Sequence, residues 1–556
     1  MNNLQNKITF ANAKTKYETG FDYVVNCMNI ITPFGRKALN QMLPFLPGQE
    51  NLLREEYQRL GFILEFVKNA PKKTDAIIEI LKEVKDLSFT IQRSDKDALS
   101  VVELFEVKSL LLKMDKILII LKDALAKKET STKIDFPKEY LLKDVTPLIK
   151  SLDPRNEGSE TFYLYDEFSD KLREIRERKR IAEADLRKEQ KELKDIIKQK
   201  HGIELSQRFD CIVSKANAQQ LKALKEIPEL IQISEDYISV VFSLKNTAKM
   251  DGLFKEIENA MELIEAEELA VREKLSKEIG LCSGELLENC EKIGALDVAI
   301  AKTLYAINSS CTIPKISDEY ILEITDGRHI PAFDAVVSKN KKYCPVSISL
   351  SSGTTCISGA NMGGKTVTLK LVGLVALLTQ HAFFVPCEKA TLGLSNYVQM
   401  LIGDSQSLER GLSSFGGEVE ELKETLDNAK DRSLILIDEI ASGTNPHEGF
   451  ALMKSIVDYL SDKPYISLLT THFDGVASSE NVNNLQVIGL ANVDFDKLNY
   501  EIKNADSAER VSIIASHMDY RLQNAKEDTK VPKDALNIAK MLGIKEEIIE
   551  AAKKYL

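Results

Sequence analysis

The sequence contains no tryptophan, and only six histidines and eight cysteines occur among its 556 residues. No two cysteines form a Cys-x-x-Cys pair and the histidines do not cluster near them, which argues against a zinc site and a disulfide framework. No apolar run reaches the length of about 18 residues that a membrane span needs, and the N-terminus lacks a signal-like apolar stretch. We therefore expect a cytoplasmic protein that does not contact a membrane.

Positive charge is in deficit over the whole chain. The formal net charge is −11 and the isoelectric point is about 5.4. Proteins that bind nucleic acid mainly through its phosphates are usually basic or carry a basic face. The acidic balance weighs against strong sequence-independent binding of this kind, but a local basic patch stays compatible with it.

Residues 1–160 have a helical pattern. Apolar residues recur at spacings of three and four in 51–70 and again in 97–125. The Pro- and Gly-containing stretch 44–48 separates predicted helices.

Residues 165–201 are dense in charges of both signs and carry sparse apolar residues, which predicts a long exposed helix and one half of an antiparallel coiled coil. A strand-like run follows at 237–242, and residues 253–280 predict a second charged helix. Two long helices around a small β insert indicate an arm. The arm either binds a ligand or is a solvated helical hairpin without a binding role.

From about residue 316 short apolar runs alternate with Gly-rich turns and amphipathic helices. The runs 354–358, 433–437 and 465–470 resemble buried parallel strands and predict an α/β domain. Residues 506–556 return to a helical pattern.

Residues 359–366, Gly-Ala-Asn-Met-Gly-Gly-Lys-Thr, fit the phosphate-loop pattern G-x-x-x-x-G-K-[ST]. Glycines such as Gly359, Gly363 and Gly364 let the backbone N–H groups wrap around phosphates at a helix N-terminus. We expect Lys365 to reach the β- and γ-phosphates and the Thr366 hydroxyl to bind Mg²⁺. The flanking strand and helix patterns argue against a chance Gly-rich turn.

The apolar run 434–437 ends in Asp438 and Glu439. In a P-loop nucleoside triphosphatase such a first acid holds Mg²⁺ through a water molecule, and the second can polarise the attacking water as general base. The alternative for Glu439 is a surface charge without a role.

His472 follows the strand-like run that ends at Thr471. A polar side chain at the carboxyl end of a parallel strand faces the ligand crevice, so His472 could sense the γ-phosphate. A structural histidine is the alternative.

These motifs stand in a family-specific order. The stretches GANMGGKTVTLK, FFVPCEKATLG, IGDSQSLERGLSSFGGEVEEL, LILIDEIASGTNPHEG and TTHF resemble, in this order, the ATPase of the MutS family. Residues 326–331 resemble the family's G-R-H-P segment, and 32–36 resemble the start of its lever helices. The resemblance is dense over 316–556 and thin before it.

The resemblance implies an ABC-type α/β P-loop ATPase domain in the C-terminal half, preceded by an all-α lever and core bundle with a long helical arm. The implied segments are a lever and core segment at 1–160, a clamp-like arm at 161–290, a return helix of the core at 291–315, the ATPase at 316–505 and a helical dimerisation segment at 506–556. ATP and Mg²⁺ are the implied cofactors.

Three further residues take roles from the resemblance alone. Asn361 matches a loop asparagine that orders the nucleotide site. Ser413 matches the signature-loop serine that reaches the γ-phosphate in the neighbouring subunit, and it is also placed to be a helix N-cap. Tyr343 matches an adenine-stacking aromatic, with a plain core residue as the alternative. ATP sites shared across a dimer, either a homodimer or a heterodimer with a MutS-like subunit, follow from the Ser413 match.

The sequence departs from the mismatch-repair members of the family. The only Phe-x-Glu lies at 254–256 within the second arm helix, so the mismatch-reading wedge is expected to be absent. The chain stops at Leu556, and we expect no small-MutS-related nuclease domain. The stretches around 364–370 and 443–449 are closer to the branch implicated in recombination control and ribosome rescue.

Three partners remain open. The first is distorted or branched DNA, which arm residues could contact through phosphates (Arg173, Arg176, Arg178, Lys179 and Arg180). The second is a protein partner such as adenosylcobalamin-dependent lysine 5,6-aminomutase, for which short MutS-like ATPases resemble the reactivating subunit. The third is the ribosome.

Overall fold

The computed structural model describes residues 9–126, 137–158, 161–359, 364–403, 414–441, 444–473, 475–490, 493–502, 510, 513–514, 517–525 and 534–554. The chain divides into two compact units. The first contains the described residues of 1–82, 128–140 and 293–556, and the second those of 83–127 and 141–292. No described helix combines the length and the apolar character that crossing a bilayer requires.

The second unit contains two long helices that pack side by side. Its elements are α6 (Ser88–Arg93), α7 (Val101–Ala126), α8 (Thr146–Leu152), α9 (Asp170–His201), β1 (Asp210–Ser214), α10 (Ala218–Lys225), β2 (Leu230–Glu235), β3 (Ser239–Leu244), α11 (Ala248–Leu281) and the first part of α12 (Ser283–Asn308). Lys249 pairs with Glu189, and Lys171 at the other end of α9 pairs with Glu267. The two helices α9 and α11 are therefore antiparallel, as the charged patterns predicted.

A small sheet lies between these helices in the chain. Its strands have the order β1-β3-β2 and are all antiparallel. Val240, Phe242 and Leu244 alternate along β3 and are buried against α10 and the end of α9, where Leu224 and Ile197 join the same cluster. The strand-like run at 237–242 thus belongs to a real β insert.

The first unit begins with helices α1 (Ala13–Glu18), α2 (Phe21–Asn26), α3 (Pro33–Asn40), α4 (Glu50–Asn69) and α5 (Pro71–Lys82), and it includes the rest of α12. Strands and helices then alternate: β4 (Lys315–Ile316), β5 (Ile321–Gly327), α13 (Ile330–Val337), β6 (Val346–Ser351), β7 (Gly353–Ser358), α14 (Lys365–Gln380), β8 (Lys389–Leu392), β9 (Tyr397–Ile402), α15 (Ser414–Asn428), β10 (Ser433–Asp438), α16 (Pro446–Ser461), β11 (Ile466–Thr471), β12 (Val482–Gly489), α17 (Phe495–Ile502), β13 (Asp519–Asn524), α18 (Asp534–Met541) and α19 (Glu546–Lys553).

The main sheet of this unit has the strand order β13-β12-β7-β11-β10-β9. Neighbouring strands are parallel except at the edge, where β13 is antiparallel to β12. A second, mixed sheet has the order β4-β8-β5-β6. The predicted α/β architecture is confirmed, and the carboxyl ends of β7, β10 and β11 lie side by side at one edge, where ligands bind in sheets of this kind.

The strand β13 corrects one expectation. Residues 506–556 were predicted to be helical, but Asp519–Asn524 form an edge strand of the main sheet. Tyr520 and Leu522 alternate with polar residues, which is the period of a strand rather than of a helix. The structure also divides the predicted 1–160 segment, because the described residues up to Lys82 belong with the P-loop unit.

Helix α14 is buried on nearly all sides, since thirteen of its sixteen residues are inaccessible. An amino acid sequence that is apolar around the whole helix gives this result. At Gly373 a Cβ atom would lie 2.5 Å from Thr19 Cγ2 and 2.9 Å from Leu436 Cδ1. The glycine lets α14 approach both α1 and the acid-bearing strand β10.

Carbonyl groups at the end of α14 and in the residues just after it accept hydrogen bonds from side chains of two other helices. Lys302 of α12 donates from Nζ to the carbonyl oxygens of His381 (3.1 Å) and Ala382 (2.9 Å), and Tyr57 of α4 donates to those of Thr379 (3.0 Å) and Phe383 (2.9 Å). Burial lowers the pKa of Lys302 to about 8. The Thr379 carbonyl is one that a helix terminus leaves without a helical partner. Together the four bonds fix the far end of α14 and the turn that follows it.

Candidate functional site

The phosphate loop connects the carboxyl end of β7 to the first residue of α14. Gly359 has φ +136° and Gly364 has φ +75°, values that side chains disfavour. A Cβ on Gly359 would lie 3.3 Å from Val487 Cβ, and one on Gly364 would lie 3.1 Å from Cδ1 of Tyr520. Both positions therefore need glycine. The predicted residues Asn361 and Gly363 lie outside the described residues.

Lys365, at the start of α14, is only 3% exposed. Its Nζ donates to the Gly359 carbonyl oxygen over 2.6 Å and lies 3.0 Å from Oε1 of Glu439. Two residues that the sequence placed in one site, one as a phosphate ligand and one as a base, are thus in direct contact. The ammonium group sits at the N-terminus of a helix, where anions are favoured.

Thr366 and Asp438 are also adjacent. The Thr366 hydroxyl donates to Asp438 Oδ2 over 2.8 Å, and Asp438 is 7% exposed. The other carboxylate oxygen, Oδ1, accepts a hydrogen bond from the Thr470 hydroxyl over 2.6 Å. Thr470 was not predicted as a site residue.

This oxygen pair fits Mg²⁺. A hydroxyl and a carboxylate oxygen within hydrogen-bonding distance can both face one cation, and Mg²⁺ is usually held by one or two protein oxygens together with substrate phosphates. No cluster of three or more His, Cys, Asp or Glu side chains suited to a metal occurs in the part of the chain that the structure describes. Thr366 and Asp438 would hold the cation, which would neutralise phosphate charge.

Glu439 has φ +45°, a left-handed conformation that is strained for a residue with a side chain. Its N–H donates to Thr470 Oγ1 over 3.1 Å, and its side chain is 26% exposed. The turn directs the backbone out of the strand right after Asp438. A carboxylate at this point, partly open to solvent, can accept a proton from a water molecule.

Glu418 of α15 is a second residue that the sequence interpretation missed. Its Oε2 accepts a hydrogen bond from the N–H of Ala441 over 3.1 Å, and Ala441 itself has φ +63°. Glu418 therefore supports the turn that follows Glu439. The sequence stretch that contains it, IGDSQSLERGLSSFGGEVEEL, has no feature that separates Glu418 from its acidic neighbours.

His472 follows β11 and is exposed. Its ring packs on Phe473 with a centroid distance of 4.3 Å, and within the described residues it makes no hydrogen bond to Asp438 or Glu439. A γ-phosphate contact stays a prediction for this residue.

Tyr343 packs its ring edge-on against Phe333 at 5.5 Å, and its hydroxyl accepts from the His329 N–H over 3.1 Å. Burial raises the pKa of Tyr343. These contacts fit a packing role, and adenine stacking stays a prediction. Ser413 lies outside the described residues.

A glycine-flanked phosphate loop after a central parallel strand, with a buried aspartate on the next strand but one, defines a P-loop nucleoside triphosphatase. Comparison with known proteins shows which kind of P-loop nucleoside triphosphatase this domain resembles. The model of MutS domain V matches residues 355–556. The chain is therefore an ATPase.

Individual relatives agree with the domain match. The chain is 29% identical to "Endonuclease MutS2" of Halothermothrix orenii over 446 residues, which cover 75% of this chain and 53% of that protein. It is 33% identical to the protein of the same name from Carboxydothermus hydrogenoformans over 309 residues, 54% of this chain and 36% of that protein.

A third protein of that name, from Clostridium botulinum strain Okra, is 38% identical over 208 residues, 36% of this chain and 25% of that protein. The chain thus spans about half the length, or less, of the curated relatives it matches. Residues 355–556 belong to the MutS domain V family, and the relatives that share similarity with this chain carry MutS2 names. These relatives give no support to a cobalamin-dependent aminomutase as its partner.

Proposed function

We propose that this chain is a MutS-family ATPase that binds distorted or branched DNA along its long helices and couples ATP turnover to their movement. The relatives are named as endonucleases, enzymes that act on nucleic acid. The contacts among Lys365, Thr366, Asp438 and Glu439 support the hydrolytic part of the proposal. The single observation that carries the nucleic-acid part is the charge on α9.

Helix α9 is basic although the chain is acidic. It contains twelve Lys and Arg against eight Asp and Glu, whereas its antiparallel partner α11 contains five against nine. Charge is thus separated between the two helices rather than mixed evenly. A local excess of positive charge on an acidic protein is the pattern expected of a phosphate-binding surface.

Seven of the twelve positive residues of α9 share one face. They recur at spacings of three, four or seven, which places them along one line of the helix, beside the buried seam of Leu172, Ile175, Leu186 and Ile197. We call this line the α9 basic stripe; its members are Arg173, Arg176, Arg180, Arg187, Lys191, Lys194 and Lys198. At 1.5 Å per residue it is about 37 Å long. That length matches roughly eleven phosphates along one DNA strand.

Not every member of the stripe is equally available. Arg173 pairs with Asp170 (3.0 Å) and Arg180 with Glu177 (2.6 Å), and Arg176 pairs with both Asp166 and Glu268. Surface pairs of this kind contribute only about 0–1 kcal/mol, so a phosphate can compete for these side chains.

Arg187 and Lys191, at the centre of the stripe, are exposed and form no ion pair with the described residues. The residues that we propose for the DNA contact therefore lie further along α9 than Arg173–Arg180, the region that the sequence suggested. Lys179 pairs with Glu183 at 3.6 Å, and Arg178 lies on another side of the helix. The two central side chains are the best candidates for phosphate contacts.

Dimerisation is the other part of the proposal. If Ser413 completes the ATP site of a neighbouring subunit, turnover needs two chains, either identical or from a MutS-like partner. Two copies of the α9 basic stripe would then be available to bind one DNA molecule.

The double substitution Arg187→Glu with Lys191→Glu is expected to weaken DNA binding by about 10- to 100-fold near 0.1 M salt. The variant makes two fewer phosphate contacts, so its binding releases fewer counterions from the DNA. The salt dependence of log K should become shallower by about two. Fluorescence anisotropy with a labelled four-way junction measures both quantities.

The matched control is Lys255→Glu with Lys277→Glu on α11, which changes the net charge equally. Both lysines are exposed and form no ion pair with the described residues. An equal loss of affinity in the two double variants would show a general charge effect and would contradict binding at the stripe.

A further inference from the structure

We propose that Thr470 is a positioning residue for ATP hydrolysis, acting on both carboxylates of the site through one hydroxyl group. This role rests on the ATPase activity but not on DNA as the partner. Thr470 is fully buried, and it lies opposite Asp438 in the parallel register of β11 and β10. Its strand is the one between the phosphate-loop strand β7 and β10.

One hydroxyl makes two hydrogen bonds of opposite direction. Thr470 Oγ1 donates to Asp438 Oδ1 over 2.6 Å and accepts from the Glu439 N–H over 3.1 Å. A hydroxyl has one proton and two lone pairs, so both bonds can form together. Because the acceptor Asp438 is a carboxylate, the donated bond belongs to the stronger, charge-assisted kind.

The first bond sets the rotation of the Asp438 carboxylate. With Oδ1 held by Thr470, the other oxygen Oδ2 faces the Thr366 hydroxyl at 2.8 Å. This is the oxygen pair suited to Mg²⁺. Without the Thr470 hydroxyl the carboxylate could turn about its Cβ–Cγ bond, which has a broad torsional profile.

The second bond holds the turn that carries Glu439. Glu439 has φ +45°, and its N–H donates to the side chain of Thr470. A strained conformation persists only where its surroundings over-determine it. Thr470 thus fixes the metal-facing oxygen and the backbone of the base at the same time.

Three variants separate this role from general packing. Thr470→Val keeps the shape of the side chain and removes the hydroxyl, whereas Thr470→Ser keeps the hydroxyl. Thr354→Val is the matched control: Thr354 is also a buried strand threonine, but it lies near the start of β7 and donates to the Val457 carbonyl at 3.4 Å. Thr470→Ala serves if the valine variant does not fold.

Two quantities are measured on the full chain without DNA. One is the Mg²⁺ concentration at half-maximal binding of a fluorescent, non-hydrolysable ATP analogue, and the other is kcat for ATP. Thr470→Val is expected to raise the first by about tenfold and to lower kcat by about 10- to 100-fold, the range for losing a hydrogen bond to a charged group. Thr470→Ser and Thr354→Val should stay within about threefold of the unsubstituted chain.

A folded Thr470→Val protein with unchanged Mg²⁺ dependence and kcat would overturn the role of Thr470 while leaving the ATPase intact. A serine variant that loses as much as the valine variant would also overturn it, since packing would then be the cause. Failure of the unsubstituted chain to bind the analogue with Mg²⁺ would overturn the site itself and this role with it.

Discussion

Glu439→Gln is expected to bind ATP at least as tightly as the unsubstituted chain. Its rate of ATP hydrolysis should fall by about 10³-fold, which is within the range seen when a general base is removed. The amide keeps the size of the side chain but cannot accept a proton from water. It also removes the ion pair between Glu439 and Lys365, so the ammonium group becomes more available to phosphate. Single-turnover hydrolysis and equilibrium binding of a fluorescent ATP analogue give the two quantities separately.

Glu319→Gln is the control for this variant, because Glu319 is an exposed acid of the same unit in the turn between β4 and β5. It should hydrolyse ATP at the normal rate. Normal turnover in Glu439→Gln would mean that another group accepts the proton, and the assignment of Glu439 as base would be wrong.

Lys365→Met is expected to weaken ATP binding by at least about 100-fold, since it removes a buried charge aimed at the phosphates and leaves the aliphatic stem. The simplest readout is thermal: a ligand that binds only the folded protein stabilises it by RT ln(1 + [L]/Kd) and so raises its melting temperature. Saturating Mg-ATP should shift the melting temperature of the unsubstituted chain and not that of Lys365→Met.

Lys370→Met, five residues further along α14, is the matched comparison. Lys370 pairs with Glu18 at 2.9 Å and is partly buried, so its loss tests the effect of removing a lysine from this helix. If both variants lost the ATP-induced shift, the cause would be damage to α14, and a specific phosphate contact by Lys365 would be contradicted.

The site residues that could be predicted from the sequence are those that lie together in short, continuous motifs. The phosphate loop and the pair Asp438 and Glu439 each follow a β-branched or apolar run, so both their identity and their place at a strand end could be inferred. The contact of Lys365 with Glu439 then follows from the parallel sheet, in which the carboxyl ends of β7 and β10 share an edge.

Thr470 and Glu418 could not be predicted in the same way. Their importance depends on the register between β10 and β11 and on a turn after Glu439, neither of which any local pattern specifies. A threonine at a strand end is common, and only the pairing with Asp438 makes this one significant. Residues whose partners are distant in sequence need the fold before their roles can be inferred.

The errors in the fold prediction have the same origin. Asp519–Asn524 is a strand because it pairs with the edge strand β12. The residues around it have helical patterns, and the sequence interpretation extended those patterns over this segment. The helices up to Lys82 carry the same apolar spacing as those after it, yet they belong to a different unit. Periodicity shows that a helix has an apolar face but not which element covers it.

The acidic balance of the chain was also a poor guide to local charge. The net charge of −11 includes helix α11, whose acids outnumber its bases, and conceals the α9 basic stripe. The helical spacing of seven Lys and Arg residues could be seen in the sequence. That Arg187 and Lys191 form no ion pair with the described residues could be seen only in the structure.

The steady-state ATPase rate with and without DNA tests the central claim most directly. Linear duplex and a four-way junction should be compared at two salt concentrations. The proposal predicts stimulation that is larger with the junction and that falls as salt rises, because phosphate contacts release counterions. A robust basal rate that no DNA changes at either salt concentration would contradict DNA as the working partner of this ATPase.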